Sequence, residues 1–216
     1  MKLLIVGGVA GGAAAAARAR RLAEEAEIIV FERGPDVSFA NCGLPYYVGG
    51  QIADRGKLLV TTPERLRERF RLDVRTRTSV ESIDRAPKRV HVRDLATGRE
   101  YDEAYDKLIL APGAAPLRPP IPGLDLPGIY TLRNLADVDR IKARVDAGVR
   151  RAVVVGDGFI GLALVENLVE RGVDVTVVEL QDQVLPPLDK EMTTPIAAAL
   201  ASRGVKLLLG RSAEGF

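Results

Sequence analysis

The apolar run Leu3-Leu-Ile-Val6 stops at Gly7, an alanine-rich stretch follows as far as Leu22, and a second apolar run, Ile28-Ile-Val-Phe31, is closed by Glu32. Short, unbroken apolar runs bounded by glycine predict strands, and alanine between them favours a helix. The same order returns later in the chain. Arg151-Ala-Val-Val-Val155 ends at Gly156, Leu162 to Arg171 has the composition of a helix, and Val173-Asp-Val-Thr-Val-Val-Glu179 is a second strand ending in an acid. Each copy predicts strand, glycine turn, helix, strand.

Between the copies, partial alternation over Asp73 to Val80 and Lys88 to Asp94, with a turn at Ala96-Thr97-Gly98 before Arg99 to Ala104, predicts a small antiparallel β-meander. A short buried strand is expected at Lys107 to Ala111. Prolines 112, 116, 119, 120, 122 and 127 then predict an extended, semi-rigid connector. The fold class is α/β, with a first domain over 1–114, a proline-rich connector and lead-in over 115–150, and a second domain over 151–216.

The glycines give the repeated unit a chemistry. In a dinucleotide-binding βαβ unit the turn lets backbone approach a pyrophosphate, the helix N-terminus attracts it, and an acid roughly 20 residues on takes the ribose hydroxyls. The second copy, Gly156-Asp157-Gly158-Phe159-Ile160-Gly161, keeps the GxGxxG spacing, and Glu179 is its acid. The first copy, Gly7-Gly8-Val9-Ala10-Gly11-Gly12, puts Val9 where the middle glycine belongs, and Glu32 is its acid. Val9 is expected to hold a pyrophosphate slightly away or to force a different turn. Glu179, followed by Leu180-Gln181 with no cation, favours NADH over NADPH, because an acid repels a 2′-phosphate.

Composition narrows the partners. With 31 basic against 29 acidic residues the net charge is +2, so no electrostatic footprint for nucleic acid exists. Apolar runs fall short of a membrane span and no signal pattern opens the chain, which places it in the cytoplasm. One histidine and one cysteine leave no ligand set for a metal and no internal disulfide. The lone cysteine stands in Ser38-Phe39-Ala40-Asn41-Cys42-Gly43-Leu44-Pro45-Tyr46-Tyr47, and by itself it is either packing or chemistry.

GGVAGG, the FER ending of the second strand, SFANCGLPYYVGG, KLILAPGAAPLRPPIPG, TLRN and GFIGLALVENLVERG together resemble the coenzyme A disulfide reductases and the related CoA-dependent persulfide reductases. The resemblance covers essentially the whole chain. It implies two Rossmann-like units of the FAD/NAD(P)-binding fold, the first for FAD and the second for reduced nicotinamide, with Cys42 as the single redox centre. Electrons would pass from nicotinamide through the flavin to a mixed disulfide or persulfide on Cys42. Arg33, Val80, Ala111, Gly113 and Arg133 would line the flavin nucleotide beside Glu32. Ser38 and Asn41 match positions that hold coenzyme A, as do Arg18 and Arg21, whose other reading is a solvated cationic helix face. The arginines from Arg65 to Arg77 read as solvated surface, and His91 as structural.

Ala10 stands where the related NADH peroxidases and oxidases carry histidine, which argues against a peroxidase. Asp157 and Ala163 replace the family's usual glycine and glutamate. A carboxylate at Asp157 is expected to oppose a pyrophosphate by on the order of 1 kcal/mol if hydrated. The resemblance further implies a truncated chain, because family members continue beyond Phe216 into a second half that completes the nicotinamide domain and forms a homodimer. Two further readings therefore stand beside the reductase: an NADH oxidase-like flavoprotein and a non-catalytic nucleotide-binding fragment.

Overall fold

A computed structural model describes residues 1–216. Its elements run β1 (Lys2–Val6), α1 (Gly11–Leu22), β2 (Glu27–Phe31), α2 (Leu44–Gly49), α3 (Pro63–Phe70), β3 (Asp73–Arg75), β4 (Thr78–Asp84), β5 (Arg89–Asp94), β6 (Glu100–Ala104) and β7 (Lys107–Leu110). The chain continues with α4 (Leu135–Asp146), β8 (Arg151–Val155), α5 (Phe159–Glu170), β9 (Asp174–Glu179), α6 (Lys190–Ser202) and β10 (Lys206–Leu209). These fall into two compact units, one of Met1–Ala40 with Gly56–Ala114, the other of Asn41–Arg55 with Ala115–Phe216.

In the first unit the parallel sheet has the order β3-β2-β1-β7. Successive residues of β1 and β2 feed opposite faces. Leu3, Ile5, Ile28 and Val30 pack with Ala16, Leu66 and Val74 on the side of α1 and α3. Leu4, Ile29 and Phe31 pack with Val90 and Val92 of the antiparallel meander β4-β5-β6. Both faces are covered, which is why the sequence shows apolar runs there without alternation. The stretch from Asp73 to Val80 differs from expectation. It divides at Arg77, whose φ of 52° breaks the strand, so that β3 joins the parallel sheet beside β2 and only β4 belongs to the meander.

Arg20 ties the end of α1 to the α3–β3 connection. It is buried, and its guanidinium donates to the carbonyl oxygens of Phe70 at 2.8 Å, Arg71 at 2.9 Å, Ala26 at 2.7 Å, Glu24 at 2.5 Å and Ala23 at 3.3 Å. Arg18 and Arg21, on the same helix, are exposed.

The second unit repeats the register of the first in the order β10-β9-β8. Arg151 pairs with Asp174 as Lys2 pairs with Glu27. The covering differs. Leu4 is 0% exposed under the meander, whereas Val153, at the same place in β8, is 62% exposed, and β8 has no partner on the edge where β1 holds β7. The proline-rich stretch carries no helix or strand between Leu110 and Leu135, and turns closed by Leu126 on Gly123 and by Ile129 on Leu126 interrupt it. The segment Asn41–Arg55, read in sequence as part of 1–114, is grouped with the second unit because α2 packs against α4 and α5.

Replacing Arg20 with methionine keeps much of the side-chain bulk but strands the carbonyls it serves. Arg20→Met is expected to lower unfolding stability by about 3 kcal/mol in urea titrations, against less than about 0.5 kcal/mol for Arg18→Met or Arg21→Met. Equal effects at the three positions would contradict the structural role given to Arg20.

Candidate functional site

The two glycine turns are built alike. Gly7 and Gly156 take φ of 94° and 87°, in the left-handed region that favours glycine, and their amides donate to Phe31 and Val178 carbonyls, each at 2.8 Å. A Cβ on Gly12 would lie 1.7 Å from the Gly7 carbonyl oxygen, and one on Gly161 would lie 2.2 Å from that of Gly156. Each helix therefore starts against the backbone of its own turn. A Cβ on Gly7 would also meet the Ala111 oxygen at 2.0 Å, so Ala111, at the end of β7, flanks the first turn. The middle positions differ, as the sequence suggests: Gly158 is extended and open, whereas the half-buried Val9 joins the wall of a cavity.

The acids close each turn. Glu32 accepts from the Gly8 amide at 2.8 Å and the Gly34 amide at 2.7 Å, while Glu179 accepts from the Asp157 amide at 3.1 Å and the Gln181 amide at 2.8 Å. No side chain caps α1 or α5, and neither helix has an acid in its first turn, so the leading amides are free to meet an anion. These residues fit a pyrophosphate with a ribose beside it, once in each unit.

Asp157 departs from the expectation of a carboxylate facing the pyrophosphate. Its counterpart Gly8 has its Cβ direction filled by Val37, 3.0 Å away, with Val30 and Glu32 behind it. The Asp157 side chain is 0% exposed and so offers no carboxylate to the open surface of the turn. Neither carboxylate oxygen receives a hydrogen bond. Burial and the neighbouring Glu179 carboxylate push Asp157 up to about 6. Burial also works against the charge of Glu179, but the Gln181 and Asp157 amides outweigh it and hold that carboxyl below its ordinary value.

Cys42 is exposed, in a single 3₁₀ turn, Asn41–Gly43, that leads into α2. The helix itself is anchored through Leu44, Pro45 and Val48. Arg171 donates to the Val48 carbonyl at 3.1 Å, Lys142 lies over the Tyr47 ring at 5.2 Å, and a Cβ on Gly49 would fall 2.0 Å from Asn167 Oδ1. Arg133 reaches Asn41 Oδ1 at 3.4 Å, which brings together two of the residues singled out in sequence.

A cavity of about 690 Å³ lies in the first unit. Ala10, Ala13, Ala14 and Ala17 give it one small-residue face of α1, Phe39, Leu66 and Phe70 add apolar wall, and Ser38, Arg65, Glu68 and Arg69 supply polar groups. Arg18 and Arg21 do not line it. Arg65 and Arg69 do, from exposed positions on α3 in keeping with their reading as surface. Their side of α3 was hidden in the sequence because acids and arginines are mixed along the whole helix. Of the other predicted residues, Arg33 and Gly113 are exposed, Val80 packs on the edge of the meander core, and Ile160 is exposed on the first turn of α5. His91 lies on β5, half-buried, between Asp102 at 3.0 Å and Glu100 at 3.3 Å, and these carboxylates raise its pKa.

The sequence pattern of the pyridine nucleotide-disulphide oxidoreductases matches residues 1–216. The chain belongs to that family. Coenzyme A disulfide reductase of Staphylococcus aureus (strain JH9) is 38% identical over 214 residues, which is 99% of this chain and 48% of that protein. The crystal structure of reduced CoADR-RHD from Bacillus anthracis is 50% identical with a TM-score of 0.96, covering 99% of this chain and 39% of the other. The NADH-bound water-forming NADH oxidase of Lactobacillus brevis is 33% identical with a TM-score of 0.95, over 100% and 48% of the two chains. The chain thus spans about half the length of the curated relatives it matches. The pyridine nucleotide-disulphide oxidoreductases are FAD- and nicotinamide-dependent enzymes.

The two glycines opening α1 separate steric need from composition. A Cβ on Gly11 would meet only the Ala111 methyl, at 3.6 Å, so Gly11→Ala should be neutral or slightly stabilising, whereas Gly12→Ala should cost about 3 kcal/mol or more by forcing α1 off its turn. Thermal unfolding of the two variants side by side checks this, and tolerance of Gly12→Ala would refute the close-approach argument.

Proposed function

We propose that this chain forms the dinucleotide-binding part of a coenzyme A disulfide reductase in which Cys42 is the only redox-active sulfur. The observation that carries the reading is the position of Cys42. Its neighbours Leu44, Pro45 and Val48 are buried to hold α2, while the thiol itself stays exposed on the turn before the helix. A cysteine kept for packing would be inside, since free cysteine is among the most buried residue types.

The thiolate is the attacking form. Cys42 attacks one sulfur of coenzyme A disulfide, forming a Cys42–CoA mixed disulfide and releasing one CoA thiolate. Two electrons then cleave the mixed disulfide, restoring the Cys42 thiolate and releasing the second CoA thiolate. FAD, when bound, supplies the relay that carries those electrons from the nicotinamide. The first turn, with Glu32 for the ribose, is assigned to FAD, and the second, with Glu179, to NADH in preference to NADPH. Asn41, held by Arg133, fixes the backbone beside Cys42. CoA persulfide is the alternative acceptor for the same sulfur chemistry.

We assign the alanine-faced cavity to the pantetheine arm of coenzyme A, with Arg65 and Arg69 placed for its phosphates in the role first given to Arg18 and Arg21. The cavity has the apolar wall and few polar groups that suit a long, mostly uncharged chain. Ser38 and Phe39, which line it, lie a few residues before Cys42 in the sequence.

Two experiments in the natural protein carrying this chain test the reading. Cys42→Ser removes a thiolate-forming group at an exposed site, so stability should change by less than about 0.5 kcal/mol while NADH-dependent reduction of CoA disulfide and the covalent CoA mass adduct both disappear. Retained reduction, or a CoA adduct on another residue, would overturn the assignment. Ala14 is exposed and faces the cavity, so Ala14→Leu should raise KM for CoA disulfide at least tenfold with FAD content unchanged. An unchanged KM would remove the cavity from the substrate path.

A further inference from the structure

The Asp157–Glu179 pair is a feature that the first turn does not share. Glycine at position 8 leaves Glu32 as the one carboxylate of its turn, whereas the second turn buries two carboxyl groups side by side, 0% and 8% exposed. Two ionised carboxylates are both pure acceptors. Without a proton neither can satisfy the other, and the Asp157 oxygens are left without a donor. With one proton on Asp157, its hydroxyl donates to Glu179 and the pair becomes a single hydrogen-bonded anion. The groups that face Asp157 are the Glu179 carboxylate at the end of β9, which repels its charge, and the Leu185 amide of the following loop, which favours the charge from too far or too poor an angle to make a hydrogen bond. On the flanking segments, Lys190 is bound to Asp182 and Arg211 is exposed.

We propose that Asp157 takes up a proton from solvent when an adenine dinucleotide binds the second glycine turn, so that binding at this turn is coupled to pH. The inference rests on the assignment of that turn to the nicotinamide cofactor. A pyrophosphate seated at the N-terminus of α5 brings two negative charges next to Asp157, and a ribose laid on Glu179 covers the little of the pair that solvent still reaches. Both effects disfavour the ionised form of Asp157 and leave Glu179, held by two amides, as the charged acceptor for the ribose hydroxyls. By linkage, whatever protonates Asp157 tightens the dinucleotide by the same factor. Burial and Glu179 already place Asp157 at about 6, so the uptake falls between that value and neutral pH or slightly above. The sign follows: the bound state holds more protons than the free state, so affinity falls as pH rises through this window. Asp157 thus acts as a positioning residue for Glu179.

The test titrates NAD⁺, stable over the whole range, into the natural protein carrying this chain and its Asp157→Asn and Asp157→Gly variants from pH 5.5 to 8.5 by calorimetry in two buffers of different ionisation enthalpy. Asparagine keeps the shape and donates permanently to Glu179, and glycine reproduces the first turn. The expected result is a Kd that rises at least fivefold from pH 6 to pH 8 in the parent chain, with net proton uptake near pH 7. The asparagine variant should show less than a twofold change, no uptake, and at pH 8 a Kd at least fivefold below the parent. A pH dependence shared by parent and both variants, or an asparagine variant weaker than the parent at pH 8, would overturn the coupling while leaving the cofactor assignment standing. Absence of NAD⁺ binding by all three proteins at every pH would overturn the cofactor assignment and the coupling with it.

Discussion

Everything nucleotide-like in this protein depends on the absence of a methyl group at two places. The helices α1 and α5 each begin where a Cβ on Gly12 or Gly161 would stand within about van der Waals overlap of a turn carbonyl, at 1.7 and 2.2 Å. That approach aims the free amides of each helix across the turn and sets the acid at the end of the next strand close enough to accept the turn's own amide. An anion beside a ribose is the ligand such a frame suits, and the frame follows from backbone geometry before any side chain is considered. The remaining differences between the units are differences in what fills the frame.

The first unit is filled conventionally. Val37 occupies the space behind Gly8, the sheet is covered on both faces, and Arg20 joins α1 to the strand entering the sheet edge. The second unit places a carboxyl in the corresponding space and leaves one face of β8 open. Such an open face is apolar surface that water wets at a cost of about 25 cal/mol per Å², which favours any segment or partner able to cover it. The same strand-turn-helix-strand sequence therefore yields two units with the same register and different surroundings.

Much of the fold was legible because the signals were local. Apolar runs, glycine turns and terminal acids fix β1-α1-β2 and β8-α5-β9, and turn residues fix the meander. The parts that sequence alone misplaces are decided by distant partners. Nothing within Asp73 to Arg75 says that three residues pair with β2 rather than with β4; the left-handed Arg77 that ends the strand is an arginine, not the glycine or asparagine that would announce it. Arg20 differs from Arg18 and Arg21 only in facing five carbonyl oxygens, two of them from residues 70 and 71. Arg65 and Arg69 share one face of α3, a pattern obscured by Arg67 and the acids between them. At the candidate site the glycines, both acids and Cys42 could be named from sequence, but not the cavity, whose alanine face looks like ordinary helix propensity.

Asp157 shows why a motif position is not yet a geometry. Read along the chain, an acid inside a phosphate-binding turn is a charge set against the ligand, and the expected consequence is weaker binding. The side chain instead occupies the space behind the turn, where Gly8 leaves room for Val37, and its nearest charged neighbour is the acid expected to hold the ribose. On the proposed reading the repulsion acts between two protein carboxyls as well as toward the ligand, and a proton from solvent relieves both. A substitution that looks like a loss of function in the motif is, on that reading, a change in the conditions under which the motif would hold its ligand. The glycine turn tolerates it because the backbone approach that defines the turn runs through Gly156 and Gly161 and leaves the residue between Gly156 and Gly158 free to face inward.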